Sequence, residues 1–225
     1  MQQKNLSVED FASMIDHTNL KATANSLDIE NLCREALENG FASVCVNPVH
    51  VPLAAELLAA SPVKVCTVVG FPLGAMSHEA KAAEAALAVS QGAQEIDMVV
   101  DIGAIRDNRL GAVEEDIARV VKAASPALVK VILEVCYLDD EQIIQVCNAA
   151  VRAGANFVKT STGFGTAGAT AKAVNLMRKT VGPDIGVKAA GGIKTLQDAL
   201  AMIDAGANRL GCSSSLLIMQ QMQQT

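Results

Sequence analysis

The sequence predicts an α/β protein, a single-domain (β/α)8 TIM barrel. Apolar strand-like runs alternate along the chain with amphipathic helical patterns, and most of the runs lack a regular alternation of apolar and polar residues. Continuous apolar runs are typical of parallel strands that are buried on both faces. The eight predicted strands are 14–18, 42–47, 63–70, 95–100, 128–134, 157–162, 186–190 and 208–212.

The helical patterns between these runs begin and end at recognisable residues. The pattern over 26–39 ends at Gly40, and the pattern over 139–153 opens with a capping box and ends at Gly154. The helix after residue 195 opens in the same way, and Gly206 ends it. Repeated strand–helix units of this kind favour a closed barrel, with an open doubly wound sheet as the alternative.

Length and composition restrict the classes of function. We expect the 225 residues (1–225) to form one catalytic domain, because composition does not shift along the chain. The net charge of −6 and the 3% aromatic content argue against nucleic acid as a partner. We expect no membrane association, because the chain lacks an apolar segment of the roughly 18 residues that span a bilayer. The six cysteines show no CxxC pair, which indicates reduced thiols and a cytoplasmic location.

Lys159 lies in an apolar run that reads as a buried strand, and Lys188 repeats this pattern on the next strand. Burial favours a neutral amine, which is a nucleophile toward carbonyl groups. If Lys159 and Lys188 both point into the barrel, one cation disfavours protonation of the other amine. We therefore expect one nucleophilic lysine and one that stays charged. The alternative is a pair of lysines whose ammonium groups reach water at the strand ends.

Further polar residues interrupt the other predicted strands. Asp97 is a candidate ion-pair partner of Lys188 and a proton relay, or else part of a structural salt bridge. Asp16 ends the first strand, where an ordinary loop or cap residue is the alternative. Cys45 is either a pocket residue or a small core residue. Lys130 is a candidate substrate contact or ion-pair partner.

Three segments near the ends of the last predicted strands could bind a phosphate group. They are Thr162-Gly163-Phe164-Gly165, Gly191-Gly192 and the segment 211–215, which contains Ser213 and Ser214. Glycine lets backbone N–H groups approach an anion, and the last helix offers its positively polarised N-terminus. Barrels often bind phosphate beside the seventh and eighth strands.

Metal chemistry is not expected from the sequence. The three histidines, His17, His50 and His78, share no ligand spacing, and the sequence contains neither a P-loop nor a GxSxG motif. The residues therefore indicate amine catalysis without a metal or another cofactor.

In these residues the chain strongly resembles the deoxyribose-phosphate aldolase family over nearly its whole length. The matching motifs are DHT (16–18), CVNP (45–48), VGFPLG (69–74), EIDMV (95–99), KVILE (130–134), FVKTSTGF (157–164) and GVKAAGGI (186–193). The resemblance implies a reversible class I aldol reaction on 2-deoxyribose 5-phosphate, which yields glyceraldehyde 3-phosphate and acetaldehyde.

The resemblance also implies roles for single residues. Lys159 forms the Schiff base, Asp97 and Lys188 exchange protons through a water, and Asp16 and Thr18 support a substrate hydroxyl. The candidate substrate contacts are Thr18, Cys45, Lys130 and Thr162, and the phosphate site maps onto Gly163, Gly191, Gly192, Ser213 and Ser214. A homo-oligomer, either a dimer or a tetramer, is expected.

The chain departs from the family pattern in two places. Some members carry a lysine where Phe164 stands, so phosphate binding is expected to depend more on backbone amides here. Some members end in a tyrosine that reaches the active site, whereas the only tyrosine of this chain is Tyr137.

The lysine pair alone does not identify the sugar. A Schiff-base lyase or transaldolase-like enzyme acting on another sugar phosphate fits the same residues. A phosphate-ligand-binding barrel with a structural lysine pair is the non-enzymatic alternative.

Overall fold

The computed structural model describes residues 6–224. Its eight parallel strands close into a barrel in sequence order, with the first strand paired to the eighth. The strands are β1 Ile15–Asn19, β2 Ser43–Val46, β3 Lys64–Val69, β4 Glu95–Val99, β5 Leu128–Ile132, β6 Phe157–Lys159, β7 Gly186–Ala190 and β8 Arg209–Cys212. The closed sheet confirms the predicted barrel and excludes the open doubly wound alternative.

Helices cover the outside of the barrel. They are α1 Val8–Ala12, α2 Ser26–Asn39, α3 Val51–Leu58, α4 His78–Ser90, α5 Ile102–Arg106, α6 Leu110–Ala124, α7 Asp140–Arg152, α8 Ala171–Val181, α9 Leu196–Asp204 and α10 Ser215–Met222. Two 3₁₀ helices, Pro48–His50 and Val135–Tyr137, follow β2 and β5. None of the helices within residues 6–224 is long and apolar enough to cross a bilayer.

The predicted helix boundaries are confirmed where capping residues fix them. Helix α2 spans the predicted range and ends at Gly40, which adopts a left-handed conformation with φ 67°. Asp139 caps α7, and its carboxylate and the Gln142 side chain complete the predicted capping box. Strand β6 is shorter than the predicted 157–162, because its regular pairing ends at Lys159.

The strands divide the interior into two chemically different layers. Side chains that point outward, such as Val44, Ile96 and Val158, form the main apolar core against the helices. Side chains at the alternate positions point into the barrel, where a small apolar cluster of Leu20, Cys45, Cys66 and Val68 lies beside charged residues. A charged side chain on one of these strands is therefore held inside the barrel, away from bulk water.

Gly186 makes room for an aromatic ring at the N-terminal end of this interior. A β-carbon at residue 186 would lie 2.1 Å from the Phe157 ring. The Phe157 ring in turn lies under the Arg209 guanidinium, with 5.6 Å between Cζ and the ring centroid. The absence of a side chain at Gly186 thus leaves room for the Phe157 ring beneath Arg209.

We expect Gly186→Ala to lower the free energy of unfolding by about 1–3 kcal/mol, because the added methyl group overpacks the Phe157 ring. Gly111→Ala is the matched control, because a β-carbon at residue 111 meets no atom within 4 Å. The control should raise the free energy of unfolding by at most about 1 kcal/mol, since alanine favours a helix. Urea unfolding followed by circular dichroism measures both, and equal changes in the two variants would contradict the packing argument.

Candidate active site

The barrel interior contains a dense cluster of buried charges. Its acidic members are Asp16, Glu95 and Asp97, and its basic members are Lys130, Lys159, Lys188 and Arg209. Lys159 and Lys188 are direct neighbours in the sheet register, as are Asp97 and Lys130. Burying charged groups is costly unless each is paired and hydrogen-bonded, so this cluster depends on its internal pairing.

Asp97 is the centre of the cluster. Its Oδ2 accepts hydrogen bonds from Lys159 Nζ and Lys188 Nζ, each at 2.7 Å. Its Oδ1 accepts from Lys130 Nζ at 2.9 Å and from Cys66 Sγ at 3.2 Å. The ion pair expected between Asp97 and Lys188 is present, and the same carboxylate also binds the other two lysines.

Asp16 forms the second junction of the cluster. Lys188 Nζ forms an ion pair with Asp16 Oδ2, and Arg209 Nη1 donates to Asp16 Oδ1 at 2.6 Å. Arg209 Nη2 also donates to Glu95 Oε1 at 3.2 Å, and Lys130 Nζ donates to Glu95 Oε2 at 2.5 Å. The acids and bases therefore form one connected network that includes both carboxylates predicted for the site.

The ion pairs of the network shift the pKa values of its members. Burial alone would raise the pKa of Asp97, but Lys130, Lys159 and Lys188 outweigh burial and hold it well below its ordinary value. The pKa of Asp16 is also lowered, because Lys188 and its other cationic neighbours outweigh burial. Burial opposes charge on Lys188, yet Asp16 and Asp97 raise its pKa above the ordinary value. The two carboxylates thus favour the charged form of Lys188.

Gly211 gives Lys188 the space that it occupies. A β-carbon at residue 211 would lie 3.0 Å from Lys188 Cε and 3.0 Å from Ala190 Cβ. Ala190 and Lys188 therefore share the inward face of β7, as the strand periodicity predicted. A small residue on β8 lets the long Lys188 side chain reach Asp16 on β1.

Three of the candidate substrate contacts occupy different surroundings within the barrel. Thr18 is half-buried, and its hydroxyl donates to the Asp16 backbone carbonyl at 2.9 Å. Cys45 is buried beside Cys66, its partner in the sheet register, and a hydrogen bond from Cys66 lowers the pKa of its thiol. Lys130 is completely buried and donates to Glu95, Asp97 and Cys66, which favours the ion-pair interpretation over a substrate contact.

Two of the predicted glycine segments meet at the C-terminal end of the barrel. Gly163 and Gly191 have φ angles of 87° and 86°, which lie in the left-handed region that favours glycine. A β-carbon at Gly163 would lie 3.9 Å from the Gly191 Cα, and one at Gly191 would lie 3.0 Å from the Gly168 Cα. The backbones after β6 and β7 thus approach each other with no side chain between them.

The remaining phosphate candidates lie along the same end of the barrel. Gly192 follows Gly191 with a φ of 80°, and Ser214 precedes α10 without a side-chain cap. Ser213 lines a cavity of about 280 Å³ together with Thr18 and other residues of the β1–α2 segment. The pairing of β7 with β8 and of β8 with β1 makes these segments neighbours.

The backbone N–H and the hydroxyl of Thr162 both bind another residue of the protein. Its backbone N–H donates to Glu134 Oε1 at 3.2 Å, and its hydroxyl donates to Glu134 Oε2. The Thr162 hydroxyl oxygen also accepts from the Phe164 N–H at 3.0 Å. The predicted role of Thr162 as a substrate contact is therefore less favoured than a role in shaping its own loop.

Sequence reasoning missed four residues that complete these arrangements. Cys66, Glu95 and Arg209 belong to the charge network, and Glu134 binds the loop after β6. Glu95 lies two positions before Asp97 and shows the same sequence signal, an acidic residue within an apolar strand. Arg209 pairs with acids on β1 and β4 that lie far from it in sequence, so only the closed barrel reveals its role.

Within residues 6–224, two clusters have ligand atoms close enough for a metal ion, although sequence spacing showed none. They are Cys45, Cys66 and Asp97, and Asp16, Cys66 and Glu95, with each set of atoms within 4.8 Å. The carboxylates in both sets already accept hydrogen bonds from lysine or arginine. Protein cations thus stand beside the ligand atoms and oppose the binding of another cation.

We expect Lys130→Met to lower the free energy of unfolding by about 3–5 kcal/mol, because removing one partner leaves buried carboxylate charge uncompensated. Lys122→Met, at an exposed position of α6, is the matched control and should change stability by less than about 0.5 kcal/mol. Urea unfolding at neutral pH tests both variants. A Lys130→Met protein as stable as the unmodified chain would show that the network does not need this cation.

Comparison with known proteins identifies the family. Residues 11–221 match the DeoC/LacD family of aldolases. A deoxyribose-phosphate aldolase from Carboxydothermus hydrogenoformans is 58% identical over 214 residues, which cover 93% of this chain and 94% of that protein. One from Aciduliprofundum boonei is 55% identical over 220 residues, which cover 97% and 99%.

Solved structures agree with the sequence relatives. The tetrameric deoxyribose phosphate aldolase from Aeropyrum pernix superposes with a TM-score of 0.91 and 37% identity, covering 96% of this chain and 92% of that one. An aldolase called QR15 gives the same TM-score with 40% identity and covers 96% of each chain. The chain therefore belongs to the DeoC/LacD family of aldolases.

Proposed function

We propose that this protein catalyses the reversible class I aldol cleavage of 2-deoxy-D-ribose 5-phosphate to D-glyceraldehyde 3-phosphate and acetaldehyde. The observation that carries the proposal is the sharing of one Asp97 oxygen by Lys159 and Lys188 inside the barrel. The paired glycine backbones at the same end supply a place for the phosphate. The relatives named as deoxyribose-phosphate aldolases support this substrate.

We assign the nucleophile to Lys159. Within the described residues Lys159 Nζ has one carboxylate partner, Asp97, whereas Lys188 Nζ has two. Lys188 is also fully buried and held as a cation, while Lys159 retains slight exposure. A deprotonated Lys159 amine attacks the aldehyde carbon of the open-chain sugar, and loss of water gives the protonated Schiff base.

The Schiff base then accepts the electrons of the bond that breaks. A base removes the proton of the hydroxyl on carbon three, the bond between carbons two and three breaks, and its electron pair enters the iminium. Glyceraldehyde 3-phosphate leaves, and the remaining enamine is protonated on carbon. Addition of water then releases acetaldehyde and regenerates the Lys159 amine.

The charged neighbours supply the proton transfers. Asp97 and Lys188 share a hydrogen bond beside Lys159, so a proton can pass between them and the reacting centre through a water. Asp16 holds Lys188 in place, and Thr18 lies on the same strand two positions towards the barrel mouth. Cys45 lies at the Thr18 level of the neighbouring strand and borders the same space.

The phosphate is proposed to lie against the backbone amides of Gly163, Gly191 and Gly192, with the Ser213 and Ser214 segment on its other side. Backbone N–H groups bind an anion without needing a cationic side chain. Ser161 lies between Lys159 and Gly163 in the sequence, and its buried hydroxyl has no partner within the described residues. We propose that this hydroxyl binds a substrate oxygen between the two ends of the sugar.

We further propose one catalytic domain over residues 1–225, a cytoplasmic location and a homo-oligomer. The six cysteines are free, which suits a reducing compartment. The Aeropyrum pernix relative is tetrameric, and exposed Leu216 and Leu217 on α10 offer apolar surface for contact between copies.

Borohydride reduction in the presence of 2-deoxyribose 5-phosphate tests the nucleophile and the substrate together. We expect a reduced two-carbon adduct on Lys159 in peptide mapping, and we expect Lys159→Ala to lose both the adduct and the cleavage activity. Lys172→Ala is the control, because Lys172 is exposed and binds only Asp140 in the described structure. An adduct on a different lysine, or full activity of Lys159→Ala, would reject the assignment.

Phe164 should reduce the preference for a phosphorylated substrate. Its ring is exposed and contacts the Phe71 ring edge-on, with 5.2 Å between the centroids. We expect Phe164→Lys to increase the ratio of kcat/KM for 2-deoxyribose 5-phosphate over 2-deoxyribose about fivefold, as for one partly exposed ion pair. Phe164→Leu should leave the ratio unchanged, and a similar increase in this control would exclude an effect of charge.

A further inference from the structure

We propose that Glu134 is a positioning residue that sets the shape of the phosphate-binding loop 162–165. This inference rests on the proposed function, because it takes that loop as part of the phosphate site. Glu134 follows β5 and is 2% exposed, and within the described residues its carboxylate accepts from Thr162 and Cys136 and not from the lysines that bind Asp97. Its role is therefore distinct from the roles of the lysines and of the acids that pair with them.

The backbone aims the Glu134 side chain at the loop. Leu133 N–H donates to the Lys159 carbonyl at 2.9 Å, and Val135 N–H donates to the Thr160 carbonyl at 3.0 Å. Between these two hydrogen bonds the chain after β5 advances by two residues, whereas the chain after β6 advances by only one, as in a β-bulge. Glu134 is the extra residue and adopts φ 56° and ψ 62°, a left-handed conformation that non-glycine residues rarely take.

The Glu134 carboxylate binds both donors of one residue. Thr162 donates its N–H to Oε1 and its hydroxyl hydrogen to Oε2. Because the Thr162 hydroxyl oxygen accepts from the Phe164 N–H, the carboxylate also orients the peptide on the far side of Gly163. Fixing Thr162 therefore fixes the Ser161–Thr162 peptide before Gly163 and the Gly163–Phe164 peptide after it.

Packing shows that the loop lies directly on this carboxylate. A β-carbon at Gly165 would lie 2.9 Å from Cys136 Sγ and 3.2 Å from Glu134 Cδ. The loop is thus held on one side by Glu134, and on the other side Gly163 approaches Gly191. The distance between the Gly163 and Gly191 backbones, and hence between their N–H groups, therefore depends on the hydrogen bonds that Thr162 donates to Glu134.

The negative charge of Glu134, considered alone, predicts the opposite effect on phosphate binding. A carboxylate near a phosphate would weaken phosphate binding through repulsion, and it takes the Thr162 donors away from the anion. A purely electrostatic role therefore predicts that neutralising Glu134 tightens binding. A positioning role predicts that the same change weakens binding, so the direction of the change separates the two.

Glu134→Gln keeps the size of the side chain but replaces one acceptor oxygen with an amide that cannot accept from Thr162. We expect its KM for 2-deoxyribose 5-phosphate to rise about five- to thirtyfold, the effect of one or two lost hydrogen bonds. The kcat value should change by less than about twofold, and kcat/KM for unphosphorylated 2-deoxyribose should stay within about twofold of the unmodified enzyme. Borohydride trapping of acetaldehyde on Lys159 should be unchanged.

Thr162 provides an independent arm that does not alter Glu134. Thr162→Val removes the hydroxyl and should raise the KM for the phosphorylated sugar as Glu134→Gln does, whereas Thr162→Ser keeps the hydroxyl and should raise this KM less. The double variant Glu134→Gln/Thr162→Val should be no worse than the more affected single variant, because both remove one interaction. Glu141→Gln, an exposed glutamate on α7, controls for the lost charge.

The results separate the two proposals. Failure of the unmodified enzyme to cleave 2-deoxyribose 5-phosphate would reject the proposed function, whatever the variants do. With that activity present, three results would each overturn the role of Glu134: a lower KM for Glu134→Gln, equal losses on phosphorylated and unphosphorylated sugars, or additive losses in the double variant. If Glu134→Gln does not fold, a KM for Thr162→Val equal to that of Thr162→Ser overturns it as well.

Discussion

The binding of three lysines by the Asp97 carboxylate is the interaction on which the rest of the site depends. A buried carboxylate and buried ammonium groups are each unfavourable alone, and each becomes acceptable through the others. Lys130, Lys159 and Lys188 come from three consecutive strands, β5 to β7, and Asp97 comes from β4. Their contact requires that all four side chains point inward. The register sets Asp97 beside Lys130 and Lys159 beside Lys188, with Lys159 two residues further along the sheet than Lys130.

The three lysines differ in their other carboxylate partners. Lys130 is bound by Glu95 as well as Asp97, and Lys188 is bound by Asp16 as well as Asp97. Lys159 alone of the three depends on Asp97 as its carboxylate partner within the described chain. Two of the lysines thus have an additional carboxylate partner, and the proposed mechanism assigns the covalent chemistry to the third, Lys159.

The sequence predicted the barrel and its lysine pair because both have local signals. Apolar runs mark buried parallel strands, and a lysine within such a run is conspicuous. The Arg209 contacts could not be predicted in this way, since its partner Glu95 lies 114 positions away and an arginine near a strand end is ordinary. Glu134 was missed because its importance depends on a left-handed backbone and a bulge, which no periodicity shows. Strand β6 was predicted too long for a related reason, since the apolar run continues into a segment shaped by Glu134.

Asp97 inside the barrel and Glu134 after β5 are both buried carboxylates, but they bind different kinds of partner. Asp97 binds cations, so its contribution is to compensate their charge inside the barrel. Glu134 binds a hydroxyl and a backbone N–H, so its contribution is the direction of two hydrogen bonds. Lys159 and Gly163 are four residues apart, at most about 14 Å of extended chain, so one short segment connects the proposed covalent site to the proposed phosphate site. Asp97 holds one end of that segment and Glu134 holds the other, which gives a substrate with a carbonyl carbon and a phosphate a fixed distance to match.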